Sequence, residues 1–232
     1  MHQITEGTSM IAQEYINQLV PSVQKGDPTD KIFDWMDEFG VQQLPVVENG
    51  KYYGIISESD LFDLDLTHGV NSLEYALIKH QEVYVTQYMH LYEVLYAVEE
   101  HDTDILPVLD DQKHYIGSII IKDLVKAVAS MFASQMPGGI VVLQVDAIQY
   151  SLAEISRLVE SNNTRILSTY IQHIPDDPQK MLVTLKVNTK DLSYIIATFE
   201  RFNYQIISQF SDEDVRNNRS ERIQMLLKYL EL

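Results

Sequence analysis

The chain has 232 residues, 45% of them apolar, and a formal net charge of −17. These values support a folded protein of one large or two modest domains, and so acidic a chain is not expected to bind nucleic acid, whose phosphates it would repel. No run reaches the roughly 20 apolar residues of a membrane helix, no signal peptide is evident and cysteine is absent, so we expect no membrane partner and a cytoplasmic location.

The acidity is uneven along the chain. Residues 1–133 hold seven lysines, no arginine and 22 acidic residues, whereas residues 134–232 hold 10 basic and 12 acidic residues. This change coincides with the stretch SQMPGG, whose proline and glycines predict a linker at residues 134–138. The acidity itself is explained by solvated surfaces, and a cationic partner is the alternative.

The first unit is predicted to contain a repeat of about sixty residues. LPVVENGKYYGIISESDL at residues 44–61 returns as LPVLDDQKHYIGSIIIKDL at residues 106–124, which aligns Gly54 with Gly117 and Asp60 with Asp123. Hydrophobic periodicity predicts helices at 30–39 and 58–65 around strands at 43–47 and 52–56, then helices at 88–100 and 122–131 around strands at 105–109 and 115–121. Tyr88, Tyr92 and Tyr96 recur every four residues and predict a stripe packed in the core or against a helix.

The second unit alternates differently. Strands are predicted at 139–146, 165–172, 181–187 and 204–210, with a turn at 175–178 and helices at 152–160 and 192–201. The order βαββαβ is the ferredoxin-like arrangement. Ser151 is predicted to be a helix N-cap, and residues 211–232 a helical tail that packs on another surface of the chain or on a partner.

Ser57 and Asp60 mark the corner where the second strand of the first copy meets a helix. A serine followed three residues later by an acid is first of all a helix-capping pattern, because it satisfies backbone N–H groups at the helix start. The same corner suits a nucleotide, since free N–H groups attract a phosphate and a carboxylate accepts both hydroxyls of a ribose. The repetition of the pattern after LPV and glycine favours a ligand site.

Together these motifs resemble a tandem pair of CBS domains. The resemblance implies an α/β (α+β) fold with a CBS pair of βαββα-type repeats at residues 1–66 and 67–133, a cleft for an adenosine-type ligand, and a homodimer. Asp60 would bind the ribose and Ser57 the phosphate. The implied ligand-binding residues are Leu44, Pro45, Val46, Gly54, Ser57 and Asp60 in the first copy and Leu106, Pro107, Val108, Gly117 and Asp123 in the second.

The second copy departs from the family pattern. Ile120 occupies the hydroxyl position that Ser57 fills in the first copy, and Gln43 and Ile105 replace a basic residue common before LPV. With no arginine in this half, a polyphosphate would be poorly neutralised. The implied ligands are therefore AMP, adenosine, S-adenosylmethionine or a cyclic dinucleotide, bound best in the first copy.

Residues 139–210 resemble an ACT domain, a βαββαβ module that often binds amino acids at a dimer interface. The glycine-containing turn of such binders is missing from DAIQYS at 146–151, which favours dimerisation over amino-acid binding. The whole chain resembles acetoin-utilisation-type CBS proteins of bacteria.

No catalytic motif and no metal site is evident in the sequence. We therefore expect a non-enzymatic sensor that requires no cofactor and signals to an unidentified regulated protein. The alternatives are a structural dimerisation or interaction module without a nucleotide and an enzyme of unrecognised type.

Overall fold

The structure is a computed structural model that describes residues 9–24, 26–67 and 80–211, without the side chains of residues 63–67. Most of the predicted tail, from residue 212 onward, lies outside the described residues. The chain divides into two compact units, residues 1–126 and 127–232. Of the helices described, none is both long and apolar enough to cross a membrane.

The first unit contains both copies of the repeat. Its first copy comprises α1 (Thr29–Phe39), β1 (Gln43–Glu48), β2 (Lys51–Ser57) and α2 (Glu58–Thr67). Its second copy comprises β3 (Val85–Thr86), α3 (Leu91–His101), β4 (Ile105–Leu109), β5 (Tyr115–Ile120) and α4 (Ile121–Met131), whose last turns belong to the second unit. A short 3-10 helix at Ala12–Tyr15 precedes the first copy.

The two hairpins share one backbone irregularity. β1 pairs with β2 and β4 with β5 in antiparallel fashion, and each pairing shifts register after its valine, Val46 or Val108. Opposite these valines stand Gly54 and Gly117, both with a φ of 143°. A side chain is strained at this φ, so glycine is required at both positions.

One hydrophobic core joins the two copies. Met36, Leu44, Val46 and other residues of the first copy pack with Ile105 and Ile120 of the second. The duplicated strands therefore form a single packed unit, which explains why LPV and its counterpart are apolar.

The prediction of a packed tyrosine stripe is wrong within this chain. Tyr88, Tyr92 and Tyr96 are 59%, 65% and 63% exposed. The helix α3 buries its other face, through Leu91 and Val94. It also begins at residue 91 rather than 88, because the His90 ring accepts a hydrogen bond from the Tyr92 N–H and caps it.

The second unit contains β6 (Gly139–Asp146), α5 (Leu152–Glu160), β7 (Ile166–Ile174), β8 (Asp177–Val187), α6 (Ser193–Arg201) and β9 (Gln205–Phe210). Its antiparallel sheet has the strand order β7-β8-β6-β9. This is the ferredoxin-like topology, so the predicted α/β (α+β) fold class is confirmed. Ser151 is the N-cap of α5, as predicted, accepting from the Glu154 N–H at 3.3 Å.

The helices of the second unit cover one face of its sheet. Val141, Leu143 and Val145 alternate along β6 and pack with Ile155 of α5 and Phe199 of α6. The residues between them point to the opposite face, because successive side chains of a strand alternate. That opposite face forms the floor of a cavity.

Candidate functional site

Asp60 and Ser57 form a reciprocal cap at the start of α2. The Ser57 N–H donates to Oδ2 of Asp60 at 3.0 Å, the Ser57 hydroxyl donates to the same oxygen at 2.5 Å, and the Asp60 N–H donates to the Ser57 hydroxyl at 3.2 Å. The predicted capping role is therefore present. Oδ1 of Asp60 has no hydrogen-bond partner among the described residues, so the cap fixes the carboxylate and leaves one oxygen available.

Residues 80–84, the covering segment, lie over this corner. Nε2 of His80 is 3.6 Å from Oδ2 of Asp60. The hydroxyl of Tyr52 donates to the carbonyl oxygen of Val83 at 2.6 Å and lies 3.4 Å from that of His80. Burial raises the pKa of Tyr52, so this hydroxyl keeps its proton and remains a donor. The covering segment is thus fastened to β2 beside the carboxylate.

Residues 16–18 lie beside Asp123 in the second copy, as the covering segment lies beside Asp60 in the first. Nδ2 of Asn17 donates to Oδ2 of Asp123 at 3.4 Å, and the Asn17 N–H donates to the Ser118 carbonyl at 2.8 Å. Ile16 packs so closely on Gly117 that a Cβ there would lie 2.3 Å from its Cγ2 atom. Ile120 is 2% exposed and belongs to the shared core, so this corner offers no hydroxyl.

The predicted base-lining residues lie in the strands. The side chains of Leu44, Val46, Leu106 and Val108 are fully buried, and Pro45 and Pro107 are buried beside them. Gly54 and Gly117 stand opposite in the hairpins. The structure therefore brings these residues next to the two corners, while their contact with a ligand stays a prediction.

Sequence reasoning missed the partners of the two carboxylates. His80 and Asn17 lie outside the repeated motifs, in the segments that run into the parallel pairings of Val85 with Val108 and of Val23 with Val46. Only their positions could have indicated these contacts, because His80 and Asn17 each lie a few residues before the first valine that pairs with a strand in its copy. Nothing in the residue types themselves indicates a contact with Asp60 or Asp123.

Asp104 is a half-buried carboxylate at the junction of the two copies. Its Oδ2 accepts from the Gln42 N–H at 2.6 Å, whereas Oδ1 is buried without a hydrogen-bond partner within the described part of the chain. Burial raises the pKa of Asp104 despite that hydrogen bond. The charged form is therefore destabilised in the folded state.

We expect Asp104→Asn to raise the melting temperature of the first unit at pH 7. A raised folded-state pKa means that stability falls as pH rises through the unfolded and then the folded pKa, so the carboxylate costs most at neutral pH. The gain should shrink toward pH 4, where the wild-type group binds a proton. Fluorescence of the single tryptophan, Trp35, reports this unit during heating.

Asp110→Asn is the matched control, with the opposite sign. The N–H of His114 holds the pKa of Asp110 below its ordinary value, so this carboxylate stabilises the folded state above that pKa. Its replacement should lower the melting temperature at pH 7. A gain for Asp104→Asn that is equal at pH 4 and pH 7 would contradict the charge argument.

Comparison with known proteins identifies the duplicated unit. The family model of the CBS domain matches residues 14–66 and 75–130, which contain both hairpins and both carboxylates. Residues 14–66 and 75–130 form a tandem pair of CBS domains. CBS domain pairs are in general regulatory and non-catalytic, and they often bind adenosine ligands.

Individual relatives match about half of the chain. An uncharacterized protein of Methanocaldococcus jannaschii is 28% identical over 120 residues, which are 51% of this chain and 44% of the relative. A CBS domain pair/ACT domain protein from Thermotoga maritima is 21% identical with a TM-score of 0.46, covering 52% of this chain and 98% of its own. AcuB from Vibrio cholerae, assigned to acetoin utilization, is 19% identical with a TM-score of 0.43, covering 54% of this chain and 94% of its own.

Proposed function

We propose that this protein is a non-enzymatic, cytoplasmic sensor that binds an adenosine-type ligand in the cleft of its first CBS domain. The observation that carries the proposal is the carboxylate of Asp60, which is held by its cap through Oδ2 and keeps Oδ1 without a partner among the described residues. A ribose presents two adjacent hydroxyls, which a fixed carboxylate accepts well. The corner of Asp123 differs from that of Asp60 in its surroundings, since Ile120 supplies no hydroxyl there and Ile16 packs against Gly117.

The charges around Asp60 select among adenosine compounds. The first turn of α2 carries both Glu58 and Asp60. Each phosphate on a ligand therefore meets nearby carboxylates, against which the Ser57 hydroxyl and the N–H groups of the helix start are a limited attraction. The ligand class that fits is one with few negative charges: adenosine, AMP, S-adenosylmethionine or a cyclic dinucleotide.

Signalling proceeds through the covering segment. A ligand hydroxyl at Asp60 competes with His80, which stands 3.6 Å from the same carboxylate. Tyr52 links the covering segment to β2, and the covering segment leads into β3 of the second copy. Displacement of the covering segment therefore favours a different orientation of one copy relative to the other. A homodimer, which the ACT-like unit supports by dimerisation, would present this change to a regulated protein.

Ligand-induced stabilisation tests the proposal. At about 100 times its dissociation constant, the correct ligand should stabilise the protein by roughly 2.7 kcal/mol, read as a rise in melting temperature. Adenosine, AMP, ATP, S-adenosylmethionine and cyclic di-AMP form the panel, and ATP should bind most weakly. Asp60→Ala should abolish the rise.

Asp123→Ala is the matched control, because it removes the equivalent carboxylate from the second copy. It should keep most of the ligand-induced rise, since the corner of Asp123 lacks the serine hydroxyl of the first copy and is packed by Ile16. Asp60→Asn keeps an oxygen that accepts from the Ser57 N–H, so the helix cap is retained while the carboxylate charge is lost. It therefore shows whether a loss of binding comes from the lost cap or from the lost carboxylate. Equal binding by wild type and Asp60→Ala would refute the site, and no rise with any compound would refute the ligand class.

A structural dimerisation or interaction module is the second candidate function. It is favoured by the fact that both carboxylates have a side-chain neighbour within the chain, His80 for Asp60 and Asn17 for Asp123. Mass spectrometry of gently denatured, freshly purified protein distinguishes the two. A released adenosine compound supports the sensor, whereas ligand-free protein that also fails the panel supports the module.

A further inference from the structure

The open face of the ferredoxin-like sheet carries a cavity of about 570 Å³ in the second unit. Two rows of cross-strand neighbours form its floor, because Ile140 of β6 pairs with Lys186 and Phe210, and Val142 pairs with Thr184, which pairs in turn with Tyr170. These residues lie on the face that the helices leave uncovered. The volume falls in the range of small-molecule sites.

Phe132 and Ser134 form one wall of this cavity. The Ser168 hydroxyl donates to the Phe132 carbonyl at 2.8 Å, and the rings of Phe132 and Tyr170 meet edge to face with their centroids 5.1 Å apart. Gly138 has a φ of 153°, and a Cβ there would lie 1.9 Å from the Val187 carbonyl oxygen. These contacts hold Phe132 against β7 and Gly138 against β8, beside the apolar face.

Among the described residues that line the cavity, Lys186 is the only charged one. Its ammonium group is partly buried, lies 3.4 Å from the Gly138 carbonyl, and makes no ion pair within the part of the chain that the structure describes. The Thr184 hydroxyl, two residues earlier on the same face of β8, also has no hydrogen-bond partner there. A partly desolvated cation among apolar side chains favours an anionic group beside it.

We propose that this cavity binds a small apolar carboxylic acid, with its hydrocarbon part between the aromatic rings and its carboxylate at Lys186 and Thr184. Phe132, Tyr170 and Phe210 supply the apolar surface that such a hydrocarbon part buries. Residues 134–232 hold 10 basic and 12 acidic residues, so they repel an anion far less than the strongly acidic residues 1–133 do. The site is independent of Asp60 and adds a second input to the protein.

Calorimetric titration of the full-length protein with octanoate tests this site. Wild type should bind octanoate saturably at one site per chain, and 1-octanol, its neutral counterpart, at least tenfold more weakly. Lys186→Gln should weaken octanoate at least tenfold and leave octanol unchanged. Lys180→Gln is the matched control, because Lys180 lies on the same strand but pairs with Asp177 at 3.5 Å, outside the cavity lining.

Val142→Phe provides a second test, since it fills the cavity floor. It should abolish binding of both compounds while the far-ultraviolet circular dichroism stays that of the wild type. Asp60→Ala should leave octanoate binding unchanged, which separates this proposal from the nucleotide site. The proposal is overturned if octanoate does not saturate, if octanol binds equally well, or if Lys186→Gln and Lys180→Gln behave alike.

A further variant, Phe210→Asp, tests the competing occupant, a second copy of the chain. If Phe210→Asp converts an oligomer into a monomer in light scattering and wild type binds no octanoate, the face is a subunit interface and the ligand proposal is wrong.

Discussion

Gly117→Ala is expected to lower the free energy of unfolding of the CBS pair by about 3 kcal/mol or more. Two costs combine at this position. The φ of 143° suits glycine alone, which costs a side chain roughly 1–3 kcal/mol. The added methyl group would also stand 2.3 Å from Cγ2 of Ile16, so the amino-terminal residues 16–18 must move, at a further cost of roughly 1–3 kcal/mol.

Gly50→Ala separates these two costs. Gly50 also has a positive φ, of 78°, but a Cβ there meets nothing within 4 Å. Its replacement should cost only about 1 kcal/mol, the conformational part. Adding Ile16→Ala to Gly117→Ala should relieve the steric cost of the new methyl group. The two substitutions should therefore show a coupling energy of about 1–2 kcal/mol.

Urea unfolding followed by Trp35 fluorescence measures these differences, because the only tryptophan of the chain lies in the first unit. Equal losses for Gly117→Ala and Gly50→Ala would show that Ile16 does not press on Gly117. The covering of the second cleft by residues 16–18 would then be wrong, and Asp123 would become as available as Asp60.

Local patterns in the sequence were sufficient to predict most of the helices and strands and their order, but not β3 (Val85–Thr86) or the 3-10 helix at Ala12–Tyr15. The strands 105–109 and 139–146 and the helix 152–160 have the predicted limits, because their apolar periodicity and their flanking residues agree. The Ser57–Asp60 corner was also predictable, since capping depends on residues three apart. Short-range chemistry thus determines both the fold class and half of the candidate site.

Long-range contacts were not predictable from the same patterns. His80 approaches Asp60 from 20 positions away, and Asn17 donates to Asp123 across 106 positions. The tyrosine stripe failed for a related reason, because periodicity shows that one face of α3 differs from another but does not show which neighbour, if any, covers it.

The structure also joins two departures that the sequence presents separately. Gln43 pairs with Ser57 across the first hairpin, and Ile105 pairs with Ile120 at the same place in the second. One copy thus has a polar pair where the other has an apolar pair. Ile120 in place of the serine and Ile105 in place of the glutamine are one local change, from a partly solvated corner to a part of the core.

Ile120→Ser is therefore expected to cost about 4 kcal/mol of unfolding free energy rather than to create a second ligand corner. Ile120 is 2% exposed and packs in the core that joins the copies, so truncation loses roughly 2–5 kcal/mol of apolar burial. A serine hydroxyl facing Ile105 adds the cost of an unsatisfied polar group, roughly 1–3 kcal/mol, which relaxation of the core partly relieves.

Two substitutions calibrate this result in the same urea experiment. Ile120→Val, which removes one methylene, should cost about 1 kcal/mol, and Ser57→Ala, which removes a capping hydroxyl, also about 1 kcal/mol. A cost below 1 kcal/mol for Ile120→Ser would show that the second corner is not part of the core. If that variant also gained ligand-induced stabilisation that Asp123→Ala removes, the two clefts would be equivalent and the restriction of the sensor site to Asp60 would be wrong.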